Sequence, residues 1–538
     1  MDLAITAPQT EKVEYIQHIL TQKPQYRECL FSRGYFITDD DTIDVTAHPF
    51  YGLWKEERIQ QYRIFVHKDQ EYCIYADEGI VFLIIGHAYN PFNGEIAETK
   101  LLEQAAKAYR TGRSALVETI NEWPGIFAGF FVDEHILAVQ DCAGIKALYY
   151  GMPGGHMCIL SHPQAAADIY GLEMDAFVQK LVTNKYYNIG NRYLPGNLSP
   201  FAAIRRAGAN VYLEADPKGT FSIHRFFPTK PHPVCKTEED YQKAIDDSYQ
   251  ILHKNLELIT KKWNRPTISM SGGTDSRTTL ACANGLYDRF TYFSFQSKDT
   301  EVADSIAAHQ ICEELGLAHK IHPIPADNAE IEDFEELKAI VVHSYGYVRQ
   351  LADNEIRKHI YLYRLNDFDV EVKSWISEIV RVFFDRKYGM RMPDTLTPRH
   401  FSIFQTRYFL SPKLLRESDR IYAQYMQEFG LDKPIENYEH TDLYYWEVRM
   451  SSWGMMVTQS LDLCHRITFP FNNRKLMELM FSMPREKRKL DTAHEDIIRH
   501  ANPKIYELGL ATKNKYFLPY RIWLEKIYYY FRTVFYRR

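Results

Sequence analysis

Along the first two hundred residues, hydrophobic positions fall in short β-branched and aromatic runs separated by turn signals. Tyr62–His67, Glu71–Asp77, Gly79–Gly86, Gly125–Asp133, His135–Asp141 and Lys146–Gly151 predict strands, with one helix near Thr99–Thr111 among them. This order predicts stacked antiparallel sheets covered by helices, an α+β domain over residues 1–225. Gly79–Gly86 is the longest apolar run. It is far short of the ~20 residues of a membrane helix, so it predicts a buried strand and the chain carries no integral membrane segment.

From Thr237 the period changes. Thr237 with Asp240, acids in the first turns and lysines in the last predict a long helix. The Pro- and His-rich stretch Phe226–Lys236 before it predicts a linker, and residues 237–538 a second domain. There a strand at Pro266–Met270, a loop, an Ala-rich helix, a strand at Phe290–Phe295, a helix at Val302–Leu317 and a strand from Ala318 follow in turn. Such alternation predicts an α/β domain: a parallel sheet with helices on both faces and ligands beyond the carboxyl ends of its strands.

Composition changes this picture little. The length of 538 residues fits two domains, and 45% hydrophobic with 25% charged residues is an ordinary globular balance. A net charge of -6 gives no electrostatic case for nucleic acid, and the basic run Arg485–Lys489 reads as a solvated helix face. The eight cysteines are dispersed without a C-x-x-C pair, which fits a reducing cytoplasm. The amino-terminal residues lack the pattern of a signal peptide. The last sixteen residues, WLEKIYYYFRTVFYRR, are aromatic and basic; they read either as a packed terminal helix or as a surface for a membrane or partner protein.

The candidate chemistry lies in Ser271-Gly272-Gly273-Thr274-Asp275-Ser276, between a strand and a helix. Two glycines permit positive φ and close backbone approach, the helix start offers unpaired N–H groups, and Ser271, Thr274 and Ser276 add hydroxyls. Together they suit a pyrophosphate. Asp275 fits such a site if it binds a Mg²⁺ that bridges phosphate oxygens. The plain alternative is a tight turn with Asp275 capping the helix. A Walker A motif is absent.

The residue order resembles the PP-loop, S-G-G-x-D-S, of ATP pyrophosphatases. Asp141, Gly144, Leu148, Tyr149 and Tyr150 keep most of the R-D-x-x-G-x-x-P-L-Y-Y pattern that closes the amidotransferase-type domain of asparagine synthetases, while Gln140 and Ala147 depart from it. The stretches from Asn191 to Asp216 and from Phe469 to Asp491 are similar to that family's interdomain and late segments. The resemblance, to the asparagine synthetase and β-lactam synthetase group, covers about residues 60 to 500.

It implies an ATP-dependent carbon–nitrogen ligase that adenylates a small-molecule or peptide carboxylate, releases pyrophosphate and passes the acyl group to an amine. ATP would lie on residues 271–276, adenine against backbone groups near Phe293 and Phe295, and Mg²⁺ on Asp275 and Glu378. Three departures qualify this. No catalytic Cys follows Met1, so the first domain is expected to lack glutaminase activity, Cys29 being a structural thiol. Ser374 and Ser377 stand where the S-G-E-G-x-D-E motif has acids. His494-Glu495 replaces the late Glu-Lys pair, and Arg381 is expected either to touch phosphate or to pair with Glu378. The alternatives are a catalytically reduced nucleotide- or partner-binding relative and a glutamine-hydrolysing asparagine synthetase.

Overall fold

The computed structural model describes residues 5–535 apart from 49, 51, 191, 350, 407–410 and 511–516. Its amino-terminal half holds two six-stranded sheets. The strands are β1 (Tyr35–Thr38), β2 (Trp54–Ile59), β3 (Tyr62–His67), β4 (Tyr72–Asp77), β5 (Ile80–Ala88), β6 (Gly125–Val132), β7 (Ile136–Gln140), β8 (Tyr149–Gly151), β9 (Cys158–Leu160), β10 (Ile204–Arg206), β11 (Val211–Ala215) and β12 (Phe221–Arg225). One sheet runs β10-β8-β9-β1-β3-β2 and the other β12-β11-β7-β6-β5-β4, with antiparallel neighbours throughout.

Strand alternation explains the stacking. Leu83 and Ile85 of β5 pack with Tyr35 and Ile37 of β1 between the sheets. Their neighbours Phe82 and Ile84 face the other way, onto helices α1 (Glu98–Thr111) and α2 (Arg113–Asn121).

The carboxy-terminal half contains helix α3 (Glu238–Lys262), capped by Thr237 and Asp240 in a reciprocal box, and a five-stranded parallel sheet. Its strands are β13 (Pro266–Ser269), β14 (Thr291–Gln296), β15 (His319–Pro323), β16 (Val370–Val372) and β17 (Arg466–Thr468), in the order β15-β14-β13-β16-β17. Helix α4 (Thr274–Cys282) joins β13 to β14 and α5 (Asp299–Glu314) joins β14 to β15. The chain moves outward from β13 to β15, then returns on β13's other side, so the strand order reverses beside β13. In open sheets that reversal opens a crevice at the carboxyl ends. Helices α6 (Thr492–Ala501) and α7 (Pro519–Tyr530) come last. Among the described residues no helix is long and apolar enough to cross a membrane.

The two halves meet across buried polar contacts. Asp141 accepts the Ile145 and Lys146 N–H groups at 2.9 and 2.8 Å and the Asn472 amide at 2.9 Å. Arg474 donates to Asn210 Oδ1 and to the carbonyls of Gln140 and Asp141, each at 3.0 Å. Arg225 grips Glu447 with two bonds of 2.8 and 2.6 Å, and the Glu447 side chain is fully buried. A buried pair that loses one partner leaves an uncompensated charge. Arg225→Ala is therefore expected to lower unfolding stability by about 3–5 kcal/mol, read by urea denaturation.

Candidate functional site

Ser271–Ser276 leaves the carboxyl end of the central strand and opens helix α4. Gly273 is the helix N-cap, with φ -71° and ψ 154° and no side-chain cap bond. Its value therefore lies in close packing: a Cβ there would meet Ser271 Oγ at 3.2 Å. The positive φ expected from the sequence is not used at this glycine. Ser271 Oγ accepts the Gly273 N–H at 3.2 Å and bonds Ser276 Oγ at 3.0 Å, while the Gly272 N–H donates to the Asp304 carbonyl at 3.1 Å. The side chain of Asp275 does not cap the helix.

Instead, Asp275 Oδ1 accepts from Ser377 Oγ at 2.5 Å and Arg381 Nη1 at 2.7 Å. Arg381 also forks onto Asp491 at 2.7 and 2.8 Å, and Arg386 forks onto the same carboxylate at 2.7 and 2.9 Å. Arg381 is 4% exposed, and the charges of Asp275 and Asp491 outweigh its burial and keep it protonated. Burial alone would raise the Asp491 carboxyl, but hydrogen bonds from Arg381 and the charges of both arginines hold it at about 2.

Local backbone geometry makes this convergence possible. Val382, between the arginines, takes φ 51° and ψ 46°, and Asp491, at the start of α6, takes φ 64°. A β-branched residue in the left-handed region is strained by roughly 1–3 kcal/mol. Here the strain turns the chain sharply enough for Arg381 and Arg386 to reach one carboxylate.

Glu378 lies in the 3₁₀ turn Trp375–Val380 after β16 and accepts a hydrogen bond from the Tyr445 hydroxyl. Arg381 makes no hydrogen bond to it, contrary to the simple pairing read from the sequence, although its charge faces Glu378. Tyr445 belongs to the π-helical segment Tyr445–Gly454, which also carries Glu447 of the interdomain seam and the buried Arg449. Ser374 accepts from Thr279 Oγ1 at 2.7 Å, and Arg277 of α4 pairs with Glu495 of α6.

This donor set does not fit a resident Mg²⁺. Asp275 already satisfies a serine and a guanidinium, and positions 374 and 377 beside it are serines, which bring no carboxylate. Among the described residues no three His, Cys, Asp or Glu side chains converge as metal ligands. Asp275, Glu378, Asp491 and Glu495 are matched in sign by Arg277, Arg381, Arg386 and Arg449, so a divalent ion would meet neutralised charge.

Several further residues named in the sequence reading are placed by the structure. His494 is buried, with no hydrogen-bond partner on either ring nitrogen among the described residues. Burial, with the Arg381 charge, lowers it to about 4. The Phe293 ring stacks on Phe368 at 5.4 Å and its carbonyl accepts Met270 N–H, which leaves Phe295, under the Lys358 ammonium at 4.5 Å, as the more open position on β14. Burial pushes the Cys29 thiol up to about 12, which suits a structural cysteine. The basic run Arg485–Lys489 is not simply solvated: Arg488 is buried against Asp442 at 2.9 Å. Sequence reasoning missed Asp491, Arg386 and Tyr445, which no linear spacing ties to the loop.

No family model and no curated protein matches the chain. Among solved structures it is similar to an allosteric regulatory enzyme of purine biosynthesis, at 10% identity over 58% of this chain and 77% of that one, with a TM-score of 0.24. It is also similar to glutamine phosphoribosylpyrophosphate amidotransferase from B. subtilis complexed with ADP and GMP, at 10% identity over 75% and 76%, TM-score 0.22. A third is glutamine-dependent NAD+ synthetase from Acinetobacter baumannii in complex with ADP, at 14% identity over 38% and 36%, TM-score 0.17. Likenesses of this strength carry no functional weight.

Two outcomes follow from the charge network. Because the Asp491 carboxyl is depressed from 3.8 to about 2, its contribution is complete above about pH 4 and is lost as pH falls through about 2. Acid titration of unfolding stability will show that fall in wild type and not in Asp491→Asn, which starts about 3–5 kcal/mol lower at neutral pH. Second, Mn²⁺ added to the unliganded chain will stay free in electron paramagnetic resonance spectra at concentrations where a preformed carboxylate site would bind it.

Proposed function

We propose that the chain is an ATP-dependent amide-forming ligase of the asparagine synthetase and β-lactam synthetase kind, working without a glutaminase. One observation carries the reading: the Ser-Gly-Gly-Thr-Asp-Ser loop lies at the carboxyl end of the central parallel strand, where strand order reverses, and runs into a helix N-terminus.

In this reading the hydroxyls of Ser271, Thr274 and Ser276 and the N–H groups that open helix α4 bind the β- and γ-phosphates of ATP. The base lies by the carboxyl end of β14 near Phe295. A substrate carboxylate oxygen attacks the α-phosphorus, the bond to the β-phosphate oxygen breaks and pyrophosphate leaves. An amine then attacks the acyl carbon and AMP departs. Arg381, held between Asp275 and Asp491, fixes the Asp275 carboxylate at the loop, and the N-terminus of α4 supplies the partial positive charge beside the leaving pyrophosphate, the place where preorganised electrostatics lowers the barrier most. Residues 1–225 form a degenerate amidotransferase-like domain and 237–538 the synthetase domain. The buried thiol of Cys29 supports the absence of glutaminase chemistry, so the amine is free ammonia, a second substrate or part of the same molecule. The eight free cysteines support a reducing, cytoplasmic setting.

A second reading, a nucleotide- or partner-binding relative without turnover, is favoured by the engagement of Asp275 with Arg381 and by the absence of a lysine at 494–495. Pyrophosphate release from ATP across panels of carboxylates and amines separates the two. The ligase reading expects release that needs a cosubstrate and falls by about 10²-fold or more in Asp275→Ala. ATP binding with no release under any pair of cosubstrates selects the second reading.

A further inference from the structure

Helix α7 is built the wrong way round for a simple surface helix. Its only acid, Glu525, is 2% exposed and lies 3.8 Å from Lys387; two turns on, in the π-helical segment Phe531–Phe535 that continues it, Arg532, 1% exposed, donates to Thr406 Oγ1 at 3.0 Å. The opposite face carries Tyr520, Trp523, Leu524, Ile527, Tyr530 and Val534, between 44% and 62% exposed. These positions recur at helical spacing, so they form one stripe. Seven of the twelve strongly exposed large hydrophobic side chains among the described residues belong to 520–534. Scattered exposed hydrophobics are ordinary; a continuous stripe is not.

Charge selects the occupant. The chain as a whole is net -6, yet with Glu525 turned inward the charges left beside the stripe are those of Arg521 and Lys526, and the sequence continues with Arg537 and Arg538. Tryptophan and tyrosine have apolar bodies and polar tips suited to a lipid headgroup boundary, and a cationic fringe is attracted to anionic lipid.

We propose that the exposed face of α7 docks the protein peripherally on an anionic lipid surface. The helix lies in the plane of the interface, with Trp523, Leu524 and Ile527 among the acyl chains near the headgroups and Arg521 and Lys526 on lipid phosphates. The docking element is joined to the candidate site: Ile522 packs against Gly389, where an added Cβ would lie 2.5 Å from Ile522 Cγ2, and Arg386 lies over Phe517 at 4.3 Å. The inference does not depend on the proposed ligase activity.

Co-sedimentation of the full chain with vesicles tests it, using phosphatidylcholine alone and phosphatidylcholine mixed with phosphatidylglycerol. The expected result is sedimentation with the mixed vesicles, weakened by high salt, and about tenfold weaker in Trp523→Ser/Ile527→Ser and in Arg521→Glu/Lys526→Glu. All four side chains lie on the outer face or its fringe, so thermal unfolding of both variants should match wild type. Wild type that stays in the supernatant with both vesicle types overturns the proposal. So does equal sedimentation of wild type and the Trp523→Ser/Ile527→Ser variant. Concentration-dependent self-association in sedimentation velocity, lost in that variant, together with no vesicle binding, would assign the face to a second copy instead.

Discussion

A charge removed from water must find its opposite, and this single constraint ties the two halves of the molecule and the candidate site into one network. At the seam, Glu447 has no exposure and is held by Arg225. Two residues to either side on the same π-helical segment, Tyr445 holds Glu378 and Arg449 supplies charge behind it. From Glu378 the chain passes to Arg381, which joins the Ser271–Ser276 loop to α6 through Asp275 and Asp491. The seam and the loop thus lie along one run of buried charges, in which Glu378 and Arg381 are related by charge and not by a hydrogen bond.

That constraint also explains why the carboxylates do not resemble an open metal centre. At the crevice of the parallel sheet this chain places serines at 374 and 377 and sets guanidinium groups beside the carboxylates. A guanidinium presents donors in a fixed plane, so it orients Asp275 as well as neutralising it. The strained Val382 is part of this arrangement, since it stands between Arg381 and Arg386, which hold the same carboxylate. Helix α7 applies the same rule to its acid: Glu525 is turned inward beside Lys387, while apolar groups of the opposite face are left outside.

Much of the fold was legible in the linear pattern. Gly79–Gly86 and Gly125–Asp133 became the interior strands β5 and β6, Thr237 capped the long helix, and the alternation after Pro266 became a parallel sheet with antiparallel sheets before it. These features are local, set by side-chain period, capping and turn residues, and local physics reads directly from neighbours in the chain. The periodicity of α7 was hidden because aromatic residues occupy both of its faces, so hydropathy alone could not tell inside from outside.

The sequence by itself determined the longer strands, the capped helix, the alternation after Pro266 and the position of the Ser271–Ser276 loop at a strand-to-helix junction. Only tertiary structure decided what Asp275 meets. Arg381 lies 106 residues from it in sequence, and Asp491 lies 110 residues beyond Arg381. Pairing over such separations depends on which surfaces the sheet order and the strained turn bring together. The same packing buried His494 and Cys29 and turned Trp523 outward, because burial is a property of the assembled interior and no single segment carries it.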